Sequence, residues 1–299
     1  MELALAGTYA KYSIKDLEAL SKVKSHTIRI WEKRYGIFSP GRSQTNIRYY
    51  SNDDLKKILN IRFLTQNGFR ISKIAEMSAD EIHRKVQALY LSHADDDSMV
   101  ESLIVAMIDL SEAYFRKIFN AASVRLGFEK AITDIVFPFF SRISVMWQTG
   151  VINPAQEHFA SNIIRQKIIA ATDALYYEPE KRLPKVLLML PGSELHEIGL
   201  LLYNYALRYR GYPTVYLGQA VPLESVGRIV DITKPAMLLC SFANTLNTGD
   251  MGKMLHEISR IFPGKVLVSG SGARAYEGAF PDNIHLFTDL EELWSALEN

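Results

Sequence analysis

The sequence has a single cysteine, Cys240, among 299 residues. One thiol closes no intramolecular disulfide and builds no cysteine-based zinc or iron–sulfur site, which excludes a covalent staple or a structural metal of that kind. Long apolar runs are missing too, and nothing approaches the roughly 18 residues of a membrane span. Met1–Ala10 is too short and too uncharged for a secretory signal. Catalytic signatures are equally scarce: there is no H-E-x-x-H, no nucleophile elbow and no phosphate loop. These absences predict a cytoplasmic protein that is not an enzyme and does not enter a membrane.

What is present is an ordinary globular composition, 48% hydrophobic and 22% charged, with length for two or three units. The net charge of +1 hides a division. Residues 1–75 hold 14 Lys/Arg against 6 Asp/Glu, a balance of +8, so the other 224 residues carry −7. A basic head on an acidic body suits a head that meets a polyanion. Charge alone fits a merely solvated basic face equally well.

Within the head, Ser13 reads as the N-cap of a helix with an apolar stripe through Ile14, Leu17 and Leu20. Ser21–Ser25 is a tight polar turn, and a second helix opens at Ser25-His26-Thr27. Ile28, Trp31 and Tyr35 form its inner seam, with Trp31 read as core. His26, Arg29, Lys33 and Arg34 form its outer face. Two short helices joined so tightly follow the helix-turn-helix plan, in which the second presents its first turn to base edges. The turn-rich segment 39–46 and the strand-like Ile47–Tyr50 read as a β-hairpin wing, with Arg42 and Arg48 placed for phosphates. Ser51 caps a third helix carrying Ile58, Ile61 and Leu64.

The set Ser13-Ile14, Leu17, Thr27-Ile28-Arg29, Trp31-Glu32, Arg34-Tyr35-Gly36, Pro40, Arg42, Arg48, Tyr50 and Asp54-Leu55 resembles the winged-helix head of the MerR family over roughly residues 11–78. The resemblance implies a recognition helix at 24–35, a wing at 39–50, and binding to a double-stranded operator with inverted-repeat symmetry. It makes Lys24, His26, Thr27, Arg29, Arg34, Arg42, Arg48 and Tyr49 the candidate DNA-binding residues.

Asp95-Asp96-Asp97 reads as part of a linker. Beyond it, Met99–Asn120, Phe128–Met146 and Pro154–Tyr177 show helical periodicity, which suggests a small antiparallel bundle. Taken alone, such a bundle is equally a plain dimerisation unit. Trp147 near the end of one helix, and Glu157-His158 at the start of the next, would converge if these helices form a hairpin. On composition alone, Trp147 reads as core and Glu157 as a helix cap.

From residue 183 onward, apolar strands alternate with amphipathic helices. Strands are expected at 185–190, 214–217, 236–241, 265–269 and 284–286, with a helix from about 197 to 210. This pattern argues for a doubly wound parallel sheet, which binds ligands at the carboxyl ends of its strands. No G-x-G-x-x-G follows the first strand, so a dinucleotide site is not expected. Glu194-Leu195-His196-Glu197-Ile198-Gly199 follows instead. An imidazole in that loop points out of the sheet, a carboxylate two residues earlier fixes its tautomer, and Gly199 leaves room beside it. Most lone histidines are structural.

The E-x-H-x-x-G of Glu194, His196 and Gly199 resembles the D/E-x-H-x-x-G motif of cobalamin-binding domains. The resemblance implies a flavodoxin-like (Rossmann-like) α/β domain with His196 as the lower axial cobalt ligand. Ser241, Gly270 and Gly272 would lie beside the cofactor's tail. Phe242-Ala243, and Gly-Ser-Gly in place of adjacent glycines, depart from that pattern. Trp147 followed after nine residues by Glu157-His158 is similar to the bundle over the upper cobalamin face in the CarH/LitR class of light-responsive MerR-type regulators. By that resemblance Trp147 packs over a 5′-deoxyadenosyl group, with Glu157 and His158 beside it. In the class a histidine follows the tryptophan and takes the upper cobalt position after illumination; here it is Gln148, a poor cobalt ligand.

The expected organisation is multi-domain: a winged helix-turn-helix head at 1–80, a helical bundle at 95–180 and an α/β cobalamin-binding domain at 181–299. The expected function is a DNA-binding transcription regulator, a repressor, controlled by adenosylcobalamin held between bundle and α/β domain. It would respond to light through the cobalt–carbon bond and work as a homo-oligomer, dimer or tetramer. Two alternatives stand beside it: a regulator whose body is a cobalamin-independent protein-interaction scaffold, and a corrinoid methyl carrier, which would have no use for a basic head.

Overall fold

Ser13 caps the first helix as its sequence predicts: its side chain accepts from the Asp16 amide while Asp16 accepts from the Ser13 amide. The structure is a computed structural model that describes residues 12–42, 46–82, 84–86, 95–148, 153–176, 178, 180, 182–243 and 248–298. It packs as two compact units, residues 1–163 and 164–299, with the boundary inside a helix.

In the first unit, α1 (Ile14–Ser21) and α2 (Ser25–Tyr35) flank a turn in which Lys22 takes a left-handed conformation. A two-stranded wing follows, β1 (Gly41–Arg42) antiparallel to β2 (Arg48–Tyr49). The wing is anchored at its base by a bridge between Tyr12 and Tyr50, both buried. Ser51 and Asp54 form a second capping box at the start of α3 (Asn52–Gln66), which buries Leu55, Ile58, Leu59, Ile61, Phe63 and Leu64. A short α4 (Ile71–Ile74) closes the head.

Asp95–Asp97 is not linker. Asp95 caps α5 (Asp96–Ile108) by accepting from the Ser98 amide, and Asp96 and Asp97 lie in its first turn, where carboxylates complement the helix dipole. The single helix expected over 99–120 is also two. Leu110, at φ 50°, ends α5, and Ser111 precedes α6 (Glu112–Leu126). α5 is buried on every side from Ser98 to Ile108, which marks it as the central helix of this unit. The next segment begins as α7 (Phe128–Lys130), widens to a π-helix (Ala131–Val136) and continues as α8 (Phe137–Gln148). Pro138 lacks the N–H that a regular turn would direct back to Asp134, and the π-turn absorbs this break. α9 (Pro154–Asp173) contains the unit boundary.

The second unit is the parallel sheet that the strand–helix alternation predicts. Its strands are β3 (Val186–Pro191), β4 (Thr214–Val221), β5 (Met237–Ser241), β6 (Lys265–Ser269) and β7 (Ile284–Leu286), in the order β4-β3-β5-β6-β7. All pairings are parallel. The connecting helices are α10 (Ile198–Tyr209), α11 (Leu223–Thr233), α12 (Thr248–Ile261), α13 (Ser271–Arg274) and α14 (Leu290–Glu298). Apolar residues cover both faces, with Leu187, Met189 and Val226 in one cluster and Leu188, Leu190 and Leu200 in the other. The strand order reverses at β3, so the β3–α10 and β5–α12 loops flank the position where such sheets bind ligands.

Candidate nucleic-acid and cofactor sites

On α2, His26 and Arg29 are exposed at the N-terminal end and Thr27 is partly exposed. Ile28 is buried beneath them, while Trp31 and Tyr35 are half-buried. The start of this helix is tied to α1. Glu18 accepts from the Ser25 amide and hydroxyl and pairs with Lys24 at 3.2 Å. The Ser25 hydrogen bonds hold the Glu18 carboxyl down to about 2. Arg34 lies over the Tyr35 ring. In the wing, Arg42 donates to Asn46 at 2.6 Å, and a Cβ on Gly41 would lie 2.3 Å from the hydroxyl end of the Tyr49 ring, so Tyr49 packs directly against that glycine. Arg48 donates to Glu32 at 3.2 Å, and the Tyr50 hydroxyl donates to the other oxygen of Glu32 at 3.2 Å. Burial, then Glu32, pushes the Tyr50 phenol up to about 12.

At the carboxyl end of the sheet, Glu194 is buried and His196 is 60% exposed along its side chain. Glu194 Oε1 accepts from the amides of Leu195 and His196, each at 2.9 Å, and lies 2.7 Å from His196 Nδ1. Its other oxygen accepts from the Ala243 amide at 3.1 Å. One carboxylate thus ties the β3 loop to the loop after β5. A carboxylate takes the proton-bearing nitrogen, so Nδ1 carries the hydrogen and Nε2 the lone pair.

The neighbouring strand ends are stitched to the same edge. Ala220 donates to the Glu194 carbonyl and Gln219 to that of Leu195, while Phe242 donates to Ser269 and Gly272 to Phe242. Ser241 is buried at the end of β5. A Cβ built on Gly199 would lie 3.7 Å from Ser241 Oγ and 3.8 Å from Tyr203, ordinary contacts, so the chain's own packing does not demand a glycine there. Gly270 differs: at φ 101°, its Cβ would lie 2.2 Å from the Phe242 carbonyl oxygen, so the fold itself requires it.

In the first unit, Glu157 lies in the first turn of α9, where a carboxylate complements the helix dipole, and is 2.9 Å from His158 Nδ1, while Asn153 accepts from the Ala155 amide. The side chains of Trp147 and Gln148 lie outside the described residues, as do residues 43–45 of the wing. The sequence reading missed Glu32, and it missed Glu197, which accepts from Arg165 of α9 and from the Tyr216 hydroxyl at 2.9 Å. A carboxylate directly after the motif histidine, followed by an apolar helix, was the available signal. Among the described residues no three His, Cys, Asp or Glu side chains gather as a metal site. No helix among them is long and apolar enough to cross a membrane.

Two family models match the chain: the MerR HTH family regulatory protein over residues 12–81 and the B12 binding domain over residues 99–171. The chain is 27% identical to the HTH-type transcriptional repressor CarH of Myxococcus xanthus, covering 96% of this chain and 97% of that one. It is 24% identical to CarA of the same organism, with the same coverage. Among solved structures, the monomethylamine corrinoid protein of Methanosarcina barkeri aligns over 68% of this chain and 99% of its own, at TM-score 0.52 and 16% identity, which shows a shared fold. The chain is a MerR-type regulator carrying a B12-binding domain, homologous along nearly its whole length to these two transcriptional repressors.

Proposed function

We propose that the chain is a DNA-binding repressor governed by a cobalamin, adenosylcobalamin in particular, whose cobalt takes His196 as its lower ligand. The observation that carries the reading is the pair of a buried Glu194 and an exposed His196, with the carboxylate on Nδ1. A single histidine suits a metal that arrives with its equatorial ligands already in a macrocycle; a bare ion would need several protein donors. The residues fit the group: Gly199 is open where the fold does not require it, and Ser241 lies beside that opening.

In this reading Glu194 orients the imidazole and raises its basicity, while Gly199, Ser241, Gly270 and Gly272 border the tail. Trp147, Glu157 and His158 are assigned to the upper side, where they would hold the adenosyl group and exclude water. Cobalamin supplies, when bound, a cobalt–carbon bond that light breaks. Gln148 stands where the class has a histidine, and a carboxamide is a poorer cobalt ligand than an imidazole, so a protein nitrogen on the upper side after illumination would have to come from His158. In the head, His26, Thr27 and Arg29 would read bases, and Lys24, Arg34, Arg42, Arg48 and Tyr49 would meet the backbone. Two heads of a homo-oligomer would read an inverted repeat.

The test is to mix the protein with adenosylcobalamin in darkness, remove free ligand, and record absorbance before and after green light. A retained band that changes on illumination, with a change in assembly size, supports the whole reading. A retained band that does not change removes the light response and leaves a cobalamin sensor. No retained corrinoid overturns the cofactor assignment.

A further inference from the structure

Five charged side chains meet inside the first unit, where the DNA-binding head packs on the helices that follow it. Asp97 and Glu101 lie one turn apart on α5, and the Glu101 side chain is only 3% exposed. From the head, Lys22 pairs with Asp97 and Arg62 of α3 pairs with Glu101. Arg62 also lies 4.0 Å from Asp97. From α8, Arg142 lies 3.9 Å from each of the two carboxylates. Two acids are thus shared by two cations of the head and one of the bundle.

This cluster is poor as a stabiliser. Glu101 Oε2 and both terminal nitrogens of Arg142 are buried without a hydrogen-bond partner. Buried charges left under-satisfied weaken a joint compared with apolar packing of the same volume. Beside the cluster, an open pocket of about 520 Å³ is lined by Leu20, Lys22, Asp97, Val100, Pro138 and Arg142, between α1 and α8. Arg142 also shares one helix, Phe137–Gln148, with Trp147 five residues later. A displacement of α8 therefore carries Arg142 with it, and the charges of α5 convert that displacement into a pull on α3.

We propose that Glu101 is the positioning residue of the DNA-binding head, and that the Arg62–Glu101–Arg142 cluster is the joint through which the sensory bundle acts on it. The transmission part rests on the reading that cobalamin is held beside Trp147. A carboxylate that only stabilised the unit would affect unfolding but leave the head's response to the cofactor intact.

The test is hydrogen–deuterium exchange of the full chain, with and without adenosylcobalamin in darkness, for the wild type, Glu101→Gln and Arg142→Met. In the absence of cofactor and at pH 8, where the Glu101 carboxyl is ionised, Glu101→Gln is expected to speed exchange of the α3 amides about tenfold, with the β3–β7 sheet unchanged. Loading is expected to slow α3 exchange in the wild type but in neither variant, although both retain the corrinoid band. Glu101→Asp is expected to restore part of the response. Wild-type exchange in cofactor-free Glu101→Gln overturns the positioning role, and an intact cofactor response in both variants overturns the transmission role. If the wild type retains no corrinoid, the cobalamin reading fails and takes the transmission role with it, while the cofactor-free comparison still decides the role of Glu101. If Glu101→Gln does not fold, Arg142→Met carries both comparisons.

Discussion

The carboxylate of Glu32, in α2, holds the guanidinium of Arg48, in the wing, at 3.2 Å. The same side chain accepts from the buried Tyr50, so one acid fixes the angle between the two elements that a winged helix lays on DNA. An acid on a DNA-facing module repels phosphate, and electrostatics alone predicts tighter binding once it is removed. Positioning predicts the opposite.

Glu32→Gln is therefore expected to weaken binding about five- to tenfold, to a duplex selected from a random pool, while leaving the salt dependence unchanged. Arg42→Ala is expected to reduce the slope of log K against log salt by about one, as for a lost phosphate contact. Fluorescence anisotropy across a salt series reads both. Tighter binding by Glu32→Gln would remove the positioning role.

The cofactor loop yields a graded expectation. His196→Ala should lose corrinoid retention with the head and sheet still folded, because the His196 side chain is 60% exposed and the amides of Leu195, residue 196 and Ala243 still hold Glu194. Glu194→Gln should retain cobalamin with roughly 10–100-fold lower affinity, since it keeps an acceptor near Nδ1 but loses the charge. Equilibrium dialysis measures the affinities, and nitrogen hyperfine coupling in the reduced cobalt state reports whether the imidazole is bound. Undiminished binding by His196→Ala would sink the axial assignment.

Much of this was readable along the chain because it is local. The capping boxes at Ser13 and Ser51, the β–α alternation, and a carboxylate two residues before a histidine are all short-range patterns. What the sequence concealed is long-range. Asp95–Asp97 looks like a polar linker until the helix dipole and the cations of another element are seen. Glu101 is a lone acid in the apolar run Met99–Ile108, a visible anomaly whose partners lie 39 and 41 positions away in Arg62 and Arg142. Gly270 reads as room for a ligand, yet the carbonyl of Phe242 already accounts for it.

The two glycines separate fold from cofactor. Gly270→Ala is expected to destabilise the second unit by about 2–4 kcal/mol, through left-handed strain and collision with the Phe242 carbonyl. Gly199→Ala should leave stability unchanged or raise it by up to about 1 kcal/mol, because it replaces a helical glycine without a clash. The same substitution should lower cobalamin affinity if the opening belongs to the ligand. Urea unfolding and dialysis, run side by side on both variants, give the comparison.

The buried acid of α5 makes stability depend on pH. Burial raises the Glu101 carboxyl to about 7, against the lowering influence of Arg62 and Arg142. Between about pH 4.5 and 7 the folded chain keeps a proton that the unfolded chain has released, so this group's contribution falls as pH rises through that window. The whole effect is on the order of 3 kcal/mol, complete by about pH 8. Asp97, lowered by its hydrogen bond from Lys22, works in the opposite sense but only at more acid pH, where its stabilisation is lost on protonation. The difference in unfolding free energy between wild type and Glu101→Gln, measured in urea from pH 5 to 8, should therefore shift steadily against the wild type as pH rises. Groups that the substitution does not touch contribute equally to both proteins and cancel from the difference. A flat difference would mean that Glu101 is ionised throughout, with Arg62 and Arg142 fully offsetting its burial.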